Sequence, residues 1–180
     1  MLKRMRGFTL IELLIVVAII GILAALLIPN ALSAIQKAKQ KGTMKDINSI
    51  ATAMTDFITD NGTAPVHNGE IVAGDSLYTD LSGFYLKVLP VNDQWGSPFL
   101  VYGQSAAVMG TSYGITESAD DEFIVASRGR DKTDTAFNFD PLDPTTVYFP
   151  ITGLTSFNED LVNWSGSWIH APKSAQLSNT

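Results

Sequence analysis

Between Phe8 and Ile28 the chain runs for 21 residues with a single charge, Glu12. At 1.5 Å per residue such a helix is about 30 Å long, one hydrocarbon thickness of a bilayer. The run therefore reads as a membrane span. Lys3, Arg4 and Arg6 stand directly before it, which puts the short leader on the cytoplasmic side and the bulk of the chain across the membrane. A secretory signal peptide would need a small-x-small cleavage site after the run, and Leu27-Ile28-Pro29-Asn30 offers only a weak one. A plain signal anchor fits the length but gives no reason for Glu12. An acid in an apolar helix is seldom left without a partner.

Without the leader and the span, about 150 of the 180 residues remain, enough for one packed core. The formal net charge of −6 becomes −9 once Lys3, Arg4 and Arg6 are set aside. An acidic globule makes a poor nucleic-acid binder, since phosphate contacts need Lys and Arg. With no cysteine, disulfides, zinc-thiolate sites, iron–sulfur clusters and thiol nucleophiles are all excluded. The two histidines, His67 and His170, lie far apart in sequence, and there is no G-x-S-x-G elbow, phosphate-binding glycine loop or H-E-x-x-H. Asp120-Asp121-Glu122 reads as a solvated charge run. Catalysis is disfavoured.

Beyond Pro29 the pattern becomes amphipathic. Ile47, Ile50, Met54, Phe57 and Ile58 recur at intervals of three and four, which predicts one apolar helix face, and Asn61-Gly62 supplies the stop. Residues 8 to about 60 are thus expected to form one long helix. Lys37, Lys39, Lys41 and Lys45 cluster on its middle, open to three readings: a solvated face, a lipid-headgroup contact, or a contact with acids of a neighbouring subunit. From Gly62 onward, Phe99–Tyr102, Phe123–Ala126 and Trp168-Ile169 read as short strands, with Tyr113–Thr116 and Val147–Phe149 as further candidates. A long helix on a small antiparallel sheet is an α+β architecture.

Gly7-Phe8-Thr9-Leu10-Ile11-Glu12, continued by the aliphatic run to Pro29, resembles the processing site of type IV prepilins and the pseudopilins of type II secretion. The resemblance implies a type IV pilin-like fold with four parts: a leader over 1–7, a transmembrane assembly helix over 8–29, an amphipathic continuation over 30–61 and a periplasmic head over 62–180. It implies cleavage after Gly7 by a prepilin peptidase and N-methylation of Phe8. It also gives Glu12 a partner, the N-terminal ammonium of an adjacent subunit. Two opposite charges in an apolar bundle are tolerable only together, so the pair would act as a register check. Gly21 and Pro29 carry over as the ends of the weakest part of the helix. There, either a stretch that extends in the filament or a simple kink fits.

Asp93-Gln94-Trp95-Gly96-Ser97-Pro98-Phe99 resembles the D-x-W-G-x-P-aromatic turn of major, G-type pseudopilins. Ser127-Arg128-Gly129-Arg130-Asp131 is similar to their S-x-G-x-D junction, and Asn158–Val162 to their acidic closing segment. In that group the last two segments bind calcium. The resemblance implies Asp131 and Asp160 as ligands, with Asp134, Asn158, Glu159 and the Arg128 carbonyl to complete an oxygen shell. Calcium would do the tying that disulfides do elsewhere. The chain departs from the pattern in two respects: Arg130 and Lys132 flank Asp131, and Thr135 to Phe157 separates the acidic groups, making Asp140 and Asp143 alternative ligands.

By this resemblance the chain is the major subunit of a helical periplasmic filament of a type II secretion system. It would be a single-pass protein of the bacterial inner membrane before assembly. Its partners would be further copies of itself, minor pseudopilins, a membrane assembly platform with its ATPase, and an outer-membrane secretin. The alternative with the same fold is a type IV pilus pilin serving adhesion, motility or DNA uptake. A third, from another class, is a membrane-anchored periplasmic enzyme or binding protein, which predicts no processing at Gly7.

Overall fold

The computed structural model describes residues 8–104, 113–115, 119–140, 142–143 and 147–173. Lys3, Arg4, Arg6 and Gly7, and Thr116 of one expected strand, lie outside them. The chain divides into two compact units between Gln36 and Lys37.

One helix, α1, runs from Leu10 to Asn61 and continues through both Gly21 and Pro29. Its first part is apolar all round and its large side chains are exposed, Leu10 by 82% and Leu26 by 70%. It is long and apolar enough to cross a membrane. In the second unit the expected periodicity holds. Ile47, Ile50 and Met54 are fully buried, and Phe57 and Ile58 pack partly buried against the same core. The helix stops where Asn61 Nδ2 donates to the Phe57 carbonyl and the Gly62 amide donates to that of Ile58.

The head carries β1 (His67–Glu70), a short helix α2 (Ser76–Leu81), β2 (Leu100–Gly103), β3 (Phe123–Ser127), β4 (Tyr148–Phe149), β5 (Leu161–Trp164) and β6 (Ser167–Pro172). The strands form one sheet in the order β1-β2-β3-β5-β6-β4, antiparallel throughout except for the β4–β6 pair. β2 and β3 are buried on both faces. Val101, Phe123 and Val125 share the core with α1, whereas Leu100, Tyr102, Ile124 and Ala126 belong to a second cluster. That second cluster is closed by Tyr113, Ile115, Phe137 and Phe139, which come from loops.

One expected strand is corrected. Tyr113–Ile115 is not extended: Gly114 sits at φ +73°, and Tyr113 is buried with its carbonyl accepting from the Phe139 amide. The apolar residues are core, but the left-handed glycine takes them out of the sheet. β1, α2 and β5 were not anticipated. β1 is the polar run His-Asn-Gly-Glu at a sheet edge, and α2 is six residues started by Asp75, whose Oδ1 accepts from the Tyr78 amide at 2.6 Å.

Candidate functional site: the helix start and one end of the sheet

At the start of α1 the sequence Thr-x-x-Glu makes a capping box. Glu12 Oε2 accepts from the Thr9 amide at 2.8 Å and from Thr9 Oγ1 at 2.6 Å, and the Glu12 amide donates back to Thr9 Oγ1 at 3.4 Å. A negative charge also suits the positive end of the helix dipole. Glu12 is thus engaged within its own chain, four residues from the expected new N-terminus at Phe8. Sequence reasoning assigned it only an external partner, although the signature T-x-x-E was present. Phe8 is 79% exposed.

Gly21 and Pro29 lie within α1, whereas the residues of the S-x-G-x-D loop and the closing segment gather at one end of the sheet, and the register explains why. Glu70 pairs with Leu100, Leu100 with Ala126, and Ser127 with Leu161. The end of β1, the start of β2, the end of β3 and the start of β5 therefore lie side by side. The turn from Asp93 to Pro98 leads into this edge, and the Ser127–Asp131 and Asn158–Asp160 segments leave and enter it.

Asp93 organises the turn. Its buried carboxyl accepts from the amides of Trp95 and Ser97, both at 2.9 Å, and from Ser127 Oγ at 2.7 Å. Ser127 Oγ in turn accepts from the Gly129 amide at 3.2 Å. Gly129 is at φ +67°, and a Cβ there would stand 2.7 Å from the Glu159 carbonyl oxygen and 2.9 Å from that of Asn158. Only glycine lets the S-x-G-x-D loop lie directly on the closing segment. The turn, the loop and the closing segment are one assembly.

The acids in this assembly fare differently. Asp160 is fully buried: Oδ2 accepts from the Thr135 amide at 3.0 Å, whereas Oδ1 has no hydrogen-bond partner among the described residues. Burial pushes its carboxyl up to about 7, with the Thr135 amide pulling the other way and Asp134 and Asp131 adding to the rise. Asp134 is held by Arg128, whose Nε donates to Oδ1 at 2.7 Å, and Arg128 also pairs with Glu70. The bond to Asp134 does most to keep that guanidinium charged. Asp131 Oδ1 accepts from the Thr133 amide at 3.2 Å. The Asn158 side chain is taken by Arg130 Nε at 3.0 Å. Glu159 lies 4.0 Å from His170 Nε2, and His170 Nδ1 donates to the Asp160 carbonyl at 2.7 Å. Burial holds that imidazole below its ordinary range. Asp140 is used within its own loop, accepting from the Leu142 amide at 2.8 Å. Among the described residues no three His, Cys, Asp or Glu side chains converge as a metal-holding group.

Residues 2–28 match the model of the prokaryotic N-terminal methylation motif. The chain is 34% identical over 106 residues to the type II secretion system core protein G of Aeromonas hydrophila, covering 54% of this chain and 72% of that protein. To the core protein G of Klebsiella pneumoniae it is 32% identical over 132 residues, covering 67% and 94%. It is also similar to a type IV major pilin protein of Myxococcus xanthus, 49% identical over 57 residues but spanning only 26% of it. No solved structure matches.

Proposed function

The chain belongs to the type II secretion system core protein G family, and on that premise we propose that it is the structural subunit of a periplasmic pseudopilus that exports folded proteins. The observation that carries this reading is the reach of the likeness. The Klebsiella match extends over nearly the whole of that core protein, whereas the pilin match stops at about a quarter of its partner. The role is structural, and the apolar half of α1 is its membrane anchor before assembly.

In this reading a prepilin peptidase cuts after Gly7 and methylates Phe8, and the freed amine of one subunit meets Glu12 of the next. Glu12 then exchanges its Thr9 cap for a cationic partner of higher charge, which ties filament register to correct processing. Subunits leave the inner membrane through an assembly platform driven by an ATPase, join minor pseudopilins, and push cargo towards an outer-membrane secretin.

Calcium is the ion we assign to the sheet-end assembly. The support is Asp160, a buried carboxyl with one oxygen unpartnered and two further carboxyls acting on it. Asp160 and Asp131 would hold the ion, with backbone oxygens of Arg128 and the closing segment, while Asp134 stays paired with Arg128. Bound there, calcium would supply positive charge between the buried Asp160 and the exposed Asp131. The Asn158 side chain, already bonded to Arg130, is left out of this set.

Deleting the gene tests the functional reading. Exoproteins that accumulate in the periplasm support the pseudopilus; normal secretion with loss of surface motility would assign the chain to a pilus instead.

A further inference from the structure

Along the exposed face of α1 in the head, two charged stretches break local helix rules without a compensating ion pair among the described residues. Lys37, Lys41 and Lys45 follow each other at four-residue spacing and all are exposed. Like charges so placed repel, and no acid stands three or four residues from any of them. Further along, Asp56 and Asp60 repeat the fault with opposite sign in the last turns, where the helix dipole disfavours acids and no basic residue stands. Among the described residues none of these five forms a salt bridge. Local rules broken with no ion pair inside the monomer point to a partner.

The two stretches share a face. Lys45 and Asp56 are eleven residues apart, three turns and about 20°, so they project in nearly the same direction about 16 Å apart along the axis. Each borders a shallow groove. One, of about 390 Å³, has Lys41 and Lys45 on its rim with Met44 beside them. The other, of about 310 Å³, is formed by Asp56 and Asp60 with Phe84 and Tyr85. Tyr85 donates its hydroxyl to Asp60 at 3.1 Å and steadies it, while Phe84 is 82% exposed. A carboxylate pair beside an open aromatic ring suits a lysine, ammonium to the acids and methylene stem to the ring.

We propose that this face is a self-complementary docking surface, on which Lys41 and Lys45 of one copy pair with Asp56 and Asp60 of a second. The proposal rests on the filament reading, because anchors in one membrane make the helices parallel. Parallel helices at equal height set like charges against like. Displaced by about 16–23 Å, they bring the basic half of one against the acidic half of the other. Such a contact is heterologous: one copy keeps its acidic half unused and the other its basic half, so it propagates into a filament rather than closing as a dimer.

The natural absence of cysteine gives a clean test in the full chain, expressed in cells that assemble it. A variant carrying both Lys45→Cys and Asp56→Cys is oxidised in place. The two positions on one helix are too far apart to bridge, since a disulfide needs Cα atoms within about 7 Å, so every bond joins two chains. The expected result is a ladder extending well beyond dimer, with no ladder from either single variant. In parallel, Lys41→Glu with Lys45→Glu should reduce filament yield about tenfold, and adding Asp56→Lys with Asp60→Lys should restore most of it. Filaments visible by electron microscopy with no ladder overturn the contact alone. Loss without restoration also overturns it, and assigns the lysines to another anion such as a lipid headgroup. Wild-type chains that form no filament overturn the filament reading and the contact together.

Discussion

Ser127 Oγ donates to Asp93 Oδ2 at 2.7 Å, across 34 residues of chain and with both groups buried. The bond joins the turn that leads into β2 to the end of β3, and through the Gly129 amide it reaches the loop that lies on Asn158 and Glu159. Two segments that stand out separately in the sequence are therefore one structural device, which holds the approach to Asp160 in place.

Removing the carboxyl should undo it. Asp93→Ala leaves two amides and a hydroxyl without their acceptor and is expected to destabilise the protein by about 3 kcal/mol or more. Ser127→Ala should cost about 1–2 kcal/mol, because Asp93 keeps its two amide donors. Urea titration of the detergent-solubilised protein measures both.

Gly129→Ala should be as severe as the loss of Asp93. The left-handed backbone alone costs about 1–2 kcal/mol for a residue with a Cβ, and the carbonyls of Asn158 and Glu159 leave that Cβ no room. Circular dichroism melts should show a drop well beyond that of a surface glycine such as Gly153, which meets nothing within 4 Å.

How far these relationships could be read in advance varied with their physics. The buried face of α1 was plain because Ile47, Ile50 and Met54 follow the helical period, and β2 and β3 because four or five apolar residues in a row can only be interior. β1 was hidden: an edge strand of His67, Asn68, Gly69 and Glu70 carries no apolar signal, and only its pairing with β2 makes it a strand. Tyr113 misled because burial and extension coincide in most apolar runs and part here at Gly114. The motif residues Asp93, Ser127, Asp131 and Asp160 could be named from sequence, but their grouping depends on register, which no single segment encodes. The partner of Asp160, the Thr135 amide, comes from a loop with no sequence signal at all.

Calcium should act in a pH-dependent way. The Asp160 carboxyl, raised to about 7 by burial, stabilises the fold when protonated. That contribution is complete below the unfolded value near about 4 and is lost as the pH rises through about 7. Calcium at the proposed site would bind the ionised form, so the rise in Tm from chelator to calcium should be small at pH 5 and several degrees at pH 8. Asp160→Asn should abolish the calcium response and make the chelated protein less sensitive to pH over that range. An equal response at both pH values would count against the assignment.

Glu12→Ala should still insert in the membrane, since it removes the one charge of the span, yet assemble poorly. Glu12→Gln separates two roles: it keeps hydrogen bonds to Thr9 but cannot neutralise an amine. Filament yield, scored by shearing and immunoblot against equal membrane levels, should fall in both variants. Normal yield from Glu12→Gln would show that the cap, not the charge, is what matters.

The requirement that Glu12 meets a free amine makes processing the centre of the account, and the mass of the N-terminal peptide from the membrane and filament fractions tests it most directly. The account predicts a chain that begins at Phe8 and carries one methyl group on its amine. A chain that still begins at Met1 in assembled material would contradict it.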